Sequence, residues 1–370
     1  MIIDATTRRN LELVANTRDG GRSGTLIEYL DRSRSVLGAR RIYRWLLHPL
    51  LNVESIQSRH QVVDWLIRAR EQRLLVQNAL DGFFDLERGA ARIELGAISP
   101  KELGALRDAL IRAGVLKEAL VNAAKLPAGL RTLVAKLTAP RDLLDKLTCS
   151  LSDEPPYIIN EGAIFRAGFD AEIDRLRLMR SDGKRFLADY EVKERESTGI
   201  QSLKVKFNNV IGYFLEITTA NLSKVPAHYR RRQDTTGAGR FTTEELSKLE
   251  SEITSADAKL FVRERELFEN LRRDLIVFSE PIREIAGLVA EIDALQSFAE
   301  LAEREDLICP VMNASCSTFI LDGRHPVVAG ILRERFVPNS LSFNEAGARC
   351  GVFTRPKMGG KTNFLPQAGI

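Results

Sequence analysis

The sequence predicts a mainly α-helical protein that carries a small β-rich insertion and reaches the beginning of an α/β phosphate-loop domain. Helical spacing of apolar residues recurs through the first third of the chain and again over 242–304. Between these stretches the period changes to two, which is typical of β-strands. A glycine-rich segment with a lysine then follows short apolar stretches over 350–362. These three observations define the predicted fold class.

Composition and charge narrow the class of protein. The 370 residues are 44% hydrophobic and 28% charged, as in ordinary globular proteins. The sequence shows neither a secretory leader nor a long apolar run, so we expect a cytoplasmic protein without a membrane partner. Its 4 cysteines lack metal-ligand spacing, which favours reduced thiols over a zinc site. The net charge of +4 permits a polyanionic partner without requiring one.

Helix start signals organise the first third of the chain. Thr25-Leu26-Ile27-Glu28 has the form of a capping box and predicts a helix that begins at Thr25. A second helix is predicted over 38–47 and ends at His48-Pro49. Ser99-Pro100 marks another start, because proline is favoured in the first helical turn. Further amphipathic helices are predicted over 54–80, 100–124 and 127–148.

The periodicity changes after residues 153–156. Residues 157–169 are predicted to be extended, and residues 171–196 to form a helix. Beyond Gly199, apolar residues alternate with two lysines, Lys204 and Lys206. Residues 210–218 are then β-branched and aromatic, which predicts a second strand. Asn208-Asn209 is a plausible tight turn between the two strands.

A long helical segment follows this insertion. Thr242-Thr243-Glu244-Glu245 again has capping-box form, and the apolar stripe continues nearly unbroken to about Arg304. Pro281 predicts a kink or a break with a new start. The pattern of apolar residues changes again at Cys309. Short strands and loops are predicted there, over 319–321, 323–328 and 350–354.

Residues 355–362 resemble a phosphate-binding loop with two faults. The working pattern is G-x-x-x-x-G-K-[ST], whose backbone N–H groups cradle phosphates. Gly360-Lys361-Thr362 are present, but Arg355 stands at the first glycine, where a side chain distorts the turn. Pro366 lies inside the helix that should follow. Two interpretations stay open, a loop of nucleotide-binding ancestry and a turn of no function, and neither predicts ATP hydrolysis.

A basic segment near the β insertion is the second candidate site. Its cations are Lys224, His228, Arg230, Arg231, Arg232 and Arg240. Asp234 is the only acid among them, so the segment carries +4 with His228 neutral. Such clusters neutralise phosphates without reading bases. The alternative is a solvated charged loop. His325, alone before proline, favours a structural role, and no hydrolase triad is evident.

Ordered motifs along the whole chain point to one family. They are 3–13 (IDATTRRNLEL), 45–50 (WLLHPL), 85–88 (DLER), 212–214 (GYF), 241–246 (FTTEEL), 323–328 (GRHPVV) and 358–361 (MGGK). In this order they resemble the MutS family of DNA mismatch-repair proteins. The resemblance implies a clamp-shaped dimer that encloses duplex DNA, uses ATP and Mg²⁺, and works with other mismatch-repair proteins.

The same resemblance implies a domain organisation and roles for single residues. It divides the chain into a helical core or lever domain over 1–193, a clamp domain over 194–252, returning lever helices over 253–306 and the start of a P-loop ATPase domain over 307–370. Phe336 stands where the family stacks an aromatic ring on adenine. Gly359, Gly360 and Lys361 stand at the phosphate positions, and Thr362 stands at the magnesium position.

Departures from the family pattern leave three hypotheses. The family loop resembles G-P-N-M-G-G-K-S-T, whereas residues 355–363 are RPKMGGKTN. The mismatch-reading and connector domains and most of the ATPase are not found in the sequence. The first hypothesis is a fragment that binds the backbone of duplex DNA through the clamp. The second is an ATP-dependent repair enzyme completed by separately encoded segments. The third is an inert product, or a helical scaffold with no DNA role.

Overall fold

The computed structural model of the chain describes residues 3–159, 163–208, 212–235, 237–315, 317–332, 336–344, 364 and 367–369. Most of this part is helical, and it contains a four-stranded antiparallel sheet and a two-stranded sheet. The prediction of a mainly helical chain with a small β insertion is therefore confirmed. The chain divides into two compact units. The first is Met1–Glu94, Ala105–Leu144 and Val277–Ile370, and the second is Leu95–Gly104 and Asp145–Ile276.

The first 150 residues are helical. Helices α1 to α9 are Ala5–Asn10, Leu26–Leu30, Val36–Leu47, Val53–Arg68, Arg70–Leu80, Leu86–Glu94, Pro100–Val121, Ala128–Lys136 and Arg141–Ser150. The predicted start at Thr25 is confirmed, because its hydroxyl accepts a hydrogen bond from the Glu28 backbone N–H. The start at Ser99-Pro100 is confirmed as well. Ser99 and Glu102 exchange reciprocal side-chain and backbone hydrogen bonds there.

Two predicted helices are each divided in the structure. The pattern over 54–80 breaks at Ala69, whose backbone leaves the helical region at ψ 60°. The pattern over 127–148 breaks before Arg141, where Pro140 removes a backbone donor. In the stretch 157–169, which is predicted to be extended, the described residues include no regular strand, and Phe165 makes an isolated antiparallel bridge with Leu151. At both helix breaks the apolar period continues across a short non-helical segment, which periodicity alone does not detect.

The long helices lie where the sequence predicts them. Helices α10, α11 and α12 are Ala171–Thr198, Glu244–Leu275 and Ser279–Arg304. Gly199 ends α10 in the left-handed region at φ 67°, a conformation that glycine adopts without strain. The break predicted at Pro281 is confirmed. A 3₁₀ turn over Ile276–Phe278 precedes α12, and Pro281 lies in the first turn of that helix.

The strands are partly as predicted. β1 to β6 are Lys204–Asn208, Gly212–Thr218, Arg230–Thr235, Ala238–Thr242, Thr318–Gly323 and Asn339–Phe343. The strand predicted over 319–321 is confirmed within β5, which pairs with β6. The prediction of strand and loop over 323–328 is confirmed for Gly323, which ends β5, and for the loop over 324–325, but it is wrong for 326–328, because Pro326 begins helix α13, Pro326–Leu332. The strand predicted over 350–354 lies outside the described residues.

Helix α12 is the centre of the first unit. Residues 292–297 of this helix are all buried, and the helix packs against α3, α4, α5, α6 and α8. Asp293 on this helix is fully buried. Its carboxylate accepts hydrogen bonds from the backbone N–H groups of Arg34, at 2.9 Å, and Ser35, at 2.8 Å. A buried acid thereby fixes the segment that enters helix α3.

In the second unit, α10 and α11 form an antiparallel pair that supports the four-stranded sheet. Ion pairs join Arg177 to Glu264 at 2.7 Å and Lys193 to Glu245 at 2.7 Å. The residue numbers run in opposite directions along the two helices, which establishes the antiparallel arrangement. A core of apolar residues from both helices and from the sheet lies between them. The helix pair therefore covers one face of the sheet.

Candidate functional site

The four-stranded sheet has the strand order β1-β2-β4-β3, with all neighbours antiparallel. Side chains alternate between its two faces, as the pleat requires. Leu215, Ile217 and Phe241 lie on the covered face and pack against the helices. The residues that alternate with them along the strands therefore lie on the opposite face of the sheet. Because the side chains alternate, the strand register determines which residues share each face of the sheet.

We define the outer face of the sheet as Lys204, Lys206, Phe214, Glu216 and Arg240. The register places Glu216 directly between Lys204 on β1 and Arg240 on β4. Lys206 Nζ lies 2.6 Å from Glu216 Oε1. The Arg240 guanidinium lies over the Phe214 ring, 4.7 Å from its centroid. The ring attracts a cation in this position and so helps to hold the guanidinium in place.

Three of the predicted cations begin strand β3 at the edge of the sheet. Arg230, Arg231 and Arg232 are all exposed. The ladder between β3 and β4 shifts register between Arg231 and Gln233, which makes Arg232 the extra residue of a bulge. Arg231 lies 6.0 Å from the Phe241 ring centroid. The structure thus presents these guanidinium groups from a strand, not from the charged loop that the sequence leaves open.

The remaining predicted cations lie just before β3. Lys224 is exposed at the end of a 3₁₀ turn, Thr219–Lys224. His228 is exposed and its ring meets that of Tyr229 edge-on, with centroids 5.0 Å apart. All six predicted residues therefore belong to one sheet and the segment leading into it. Arg240 is separated from the others in sequence, and the pairing of β4 with β3 brings it beside them.

Buried hydrogen bonds fix the position of this basic edge. The Tyr229 hydroxyl, immediately before Arg230, donates to the carboxylate of Glu194 on α10, and both residues are buried. Burial and this hydrogen bond raise the pKa of Tyr229 well above its usual range. Nearby, the hydroxyls of Tyr190 and Thr243 lie 2.6 Å apart, and burial raises the pKa of Tyr190 to about 12. Both tyrosines are neutral anchors between helix and sheet.

Carboxylates of the helix pair also hold the first two strands. Glu191 on α10 accepts a hydrogen bond from the Val205 backbone N–H at 2.7 Å. Glu250 on α11 accepts one from Tyr213 at 3.1 Å. Gly212, at φ 75°, leaves room for Glu250, whose carboxylate would collide with a side chain there. These positioning residues are not predictable from local sequence, because such contacts join segments distant in sequence.

Lys204 and Lys206 are not among the predicted site residues. In the sequence they are only the polar half of an alternating pattern. The signal that could have placed them is that pattern itself. Residues of even number on β1 share one face, and the strand order then aligns them with Arg240. The order β1-β2-β4-β3 is not readable from local sequence.

The described part of the predicted nucleotide site is Phe336. This residue is 9% exposed and lines a cavity of about 1210 Å³ in the first unit. Tyr29, Arg32 and Arg324 line the same cavity. Its lining therefore combines aromatic and cationic side chains. The other predicted residues, Gly359, Gly360, Lys361 and Thr362, lie outside the described residues, as do Arg355 and Pro366.

His325 has the structural role that the sequence favours. It is 8% exposed and stands directly before helix α13. Its Nδ1 accepts a hydrogen bond from the Val328 backbone N–H at 3.4 Å, as a helix cap does. Burial lowers its pKa below the ordinary value. The ring is therefore neutral at physiological pH, which is the form that can accept this hydrogen bond.

Comparison with known proteins identifies the family. The model of MutS domain III matches residues 6–299, which include the whole four-stranded sheet and its helices. The chain belongs to the MutS family. Phe336 and the phosphate-loop residues lie beyond the stretch that this model matches. The family membership thus rests on the helical units and the sheet, independently of the nucleotide site.

Curated members of the MutS family align with the whole chain. The DNA mismatch repair protein MutS of Methanothrix thermoacetophila is 36% identical over 372 residues. Those of Symbiobacterium thermophilum and Thermodesulfovibrio yellowstonii are 38% and 37% identical. The chain covers 43%, 42% and 44% of these three proteins, so it spans less than half the length of the relatives it matches. Among the described helices, none has the length and apolarity to cross a membrane.

Proposed function

We propose that this MutS-family chain binds the backbone of duplex DNA through the four-stranded sheet. The observation that carries the proposal is the arrangement of exposed cations. Arg230, Arg231 and Arg232 follow one another on an edge strand, and Arg240 lies beside them on the neighbouring strand. Arginine forks match phosphate oxygens in two-bond geometry. The relatives' name, DNA mismatch repair protein, agrees with this substrate.

A structural explanation for the same arginines competes with this proposal. Charged residues and bulges on edge strands prevent sheets from pairing edge to edge. Protecting a sheet edge from pairing requires charged side chains, but it does not require them to bind a polyanion. The two explanations differ in one measurable quantity, the dependence of DNA affinity on salt. Each phosphate contact releases counterions and contributes about 0.9 to the slope of log K against log salt.

The test is fluorescence anisotropy with short labelled duplexes across a salt series. We expect weak binding that falls steeply with salt and is equal for paired and mismatched duplexes, because phosphate contacts carry no sequence information. The variant R230A/R231A/R232A is expected to reduce the slope by up to about 2.7, which is three contacts at about 0.9 each. An unchanged slope, or no binding at low salt, would refute the proposal and leave edge protection.

A matched control removes three other positive charges. Arg68, Arg175 and Arg180 are exposed and paired with carboxylates of Asp64, Glu172 and Asp257. The variant R68A/R175A/R180A changes the net charge by the same amount as the β3 variant. We expect it to keep the wild-type slope. A lysine variant, R230K/R231K/R232K, keeps the charge and separates fork geometry from electrostatics.

For the nucleotide we propose a narrower role. The adenine base of ATP would stack on Phe336 in the cavity beside Tyr29, while Lys361 and Thr362 are the proposed phosphate and Mg²⁺ residues. Bound ATP would supply a triphosphate for these residues to hold. Arg355 and Pro366 are unfavourable for a phosphate-binding loop and the helix that follows it, so we propose base binding without hydrolysis. Further proposals from the family are a cytoplasmic location, pairing with a second copy of the chain, and association with mismatch-repair proteins.

A further inference from the structure

The outer face of the sheet contains a carboxylate among its cations. Glu216 lies directly opposite Lys204 on one neighbouring strand and Arg240 on the other. Residues directly opposite in an antiparallel ladder have Cβ atoms about 4.5–5.5 Å apart. The Glu216 carboxylate binds Lys206 Nζ at 2.6 Å. One acid is therefore paired with Lys206 and lies opposite Arg240, one of the cations that the proposed function assigns to DNA.

This ion pair contributes little to the fold. The side chains of Lys206 and Glu216 are 49% and 26% exposed. Pairs with this exposure are screened by water and salt and stabilise proteins only weakly. The covered face, built from Leu215, Ile217 and Phe241, supplies the packing of the sheet instead. A structural requirement therefore does not account for an acid at this position.

The acid has a clear effect on an approaching polyanion. A phosphate oxygen and a carboxylate oxygen are both anionic acceptors, and an ammonium group binds either in the same geometry. While Glu216 holds Lys206, that lysine does not neutralise a phosphate. Arg240 differs, because its guanidinium lies over the Phe214 ring. The outer face thus combines a lysine that is paired with Glu216 and an arginine that is stacked on an aromatic ring.

We propose that Glu216 is an internal competitor of DNA phosphate that limits how tightly the sheet binds duplex DNA. In the free protein its carboxylate binds Lys206. When a phosphate of the duplex replaces that carboxylate, Lys206 joins Arg240 as a backbone contact. This inference rests on the proposed DNA-binding function and adds a residue that sets its strength. Such a limit on affinity is useful to a protein that releases DNA and binds it again.

The variant E216Q tests the inference, since it keeps the shape of the side chain and removes the charge. Freeing Lys206 adds about one phosphate contact, so the salt slope is expected to steepen by about 0.9. At about 0.1 M salt this corresponds to roughly eightfold tighter binding, and the gain disappears towards about 1 M. An affinity and slope equal to wild type would overturn the inference. Thermal unfolding of E216Q is expected to match wild type.

A double-mutant cycle shows whether Glu216 acts through Lys206. In a K206A background the same E216Q change is expected to leave the salt slope unaltered. An equal steepening in both backgrounds would overturn the competitor role and leave general repulsion. The matched control is D274N, because Asp274 pairs with Lys146 at 2.6 Å in the same unit, outside the sheet. We expect D274N to bind DNA as wild type does.

Failure of the proposed DNA binding and failure of the competitor role of Glu216 give different results. If R230A/R231A/R232A loses affinity while E216Q matches wild type, DNA binding stands and the competitor role falls. If R230A/R231A/R232A binds as wild type does, the proposed function itself falls. Measuring these variants on one labelled duplex in one salt series keeps the comparison direct.

Discussion

The hydroxyl of Tyr229 donates a hydrogen bond to the buried carboxylate of Glu194, and this contact joins helix α10 to the residue that precedes Arg230. A buried carboxylate is stable only when its oxygens have donors. Tyr229 supplies one of them and at the same time fixes the beginning of strand β3. The backbone that presents the three arginines is therefore positioned by a polar contact in the interior of the unit.

We expect Y229F to weaken both the fold and DNA binding. The substitution leaves the Glu194 carboxylate without this donor, which costs about 1–3 kcal/mol in the free energy of unfolding. With the start of β3 less fixed, the affinity for duplex DNA is expected to fall roughly fivefold, or about 1 kcal/mol. Chemical unfolding and anisotropy measure the two effects.

The control for Y229F is Y190F. Tyr190 is also a buried tyrosine, and its hydroxyl lies 2.6 Å from that of Thr243. Its loss is expected to cost about 1 kcal/mol of stability while leaving DNA affinity unchanged. Equal losses of affinity in the two variants would show that general destabilisation, and not the placement of Arg230, governs binding.

Gly38 in helix α3 and Gly114 in helix α7 are expected to respond to alanine in opposite ways. A Cβ at Gly38 would lie 2.2 Å from Asp293 Oδ2, whereas a Cβ at Gly114 would meet no atom within 4 Å. G38A therefore displaces the buried carboxylate from Ser35 and is expected to cost about 3 kcal/mol. G114A is expected to add about 0.5–1 kcal/mol, because alanine favours the helix.

Both glycine variants belong to the first unit, so urea unfolding followed by one probe compares them directly. A G38A protein as stable as wild type would mean that Asp293 has room to move and that the close approach is not required. A destabilised G114A would contradict the helix-propensity argument.

Asp293 predicts a pH dependence of stability. Burial raises its pKa above the ordinary 3.8, against the opposing effect of its hydrogen bonds with Ser35, Arg34 and Gln296. Because the folded pKa exceeds the unfolded one, the proton is bound more tightly in the folded state. The resulting stabilisation is fully present below about pH 3.8 and is lost as the pH rises through the raised folded value.

The comparison variant for this titration is D293N, which cannot ionise. We expect the stability of wild type relative to D293N to decrease as the pH rises from about 3 to about 7. Unfolding free energies at matched pH values measure the difference. A difference that grows with pH would mean that the hydrogen bonds outweigh burial and lower the pKa of Asp293.

The sequence predicts the helices well where their ends carry a chemical signal. Thr25, Ser99 and Thr243 each supply a side-chain oxygen at a helix start, and each start is found in the structure. It does not separate α4 from α5, because one non-helical residue, Ala69, leaves the apolar period intact. Local chemistry marks ends, and periodicity alone does not mark short interruptions.

Strand β3 shows why the site is only partly predictable. Arg230-Arg231-Arg232 has no apolar alternation, because all three side chains of this edge-strand segment are exposed, and charged residues are common on edge strands. The positive charge of the segment is evident from the sequence, and its strand conformation is not. In the same way, the lysines of β1 join the site only through the strand order, and Glu194 joins it through a contact between segments 35 residues apart. Non-local pairing determines all three.

The proposed nucleotide site gives the last prediction, which separates base binding from hydrolysis. A fluorescent ATP analogue is expected to bind weakly, and F336A is expected to weaken it further, because truncation removes the stacking surface in the cavity. Phosphate release, in contrast, is expected to be equal for wild type and K361A. The reason is that Arg355 stands where the phosphate-loop pattern has glycine, so we expect the loop not to position this lysine for catalysis. Faster phosphate release by wild type than by K361A would show that the altered loop still supports ATP chemistry, and it would favour the ATP-dependent repair enzyme over a DNA-binding fragment.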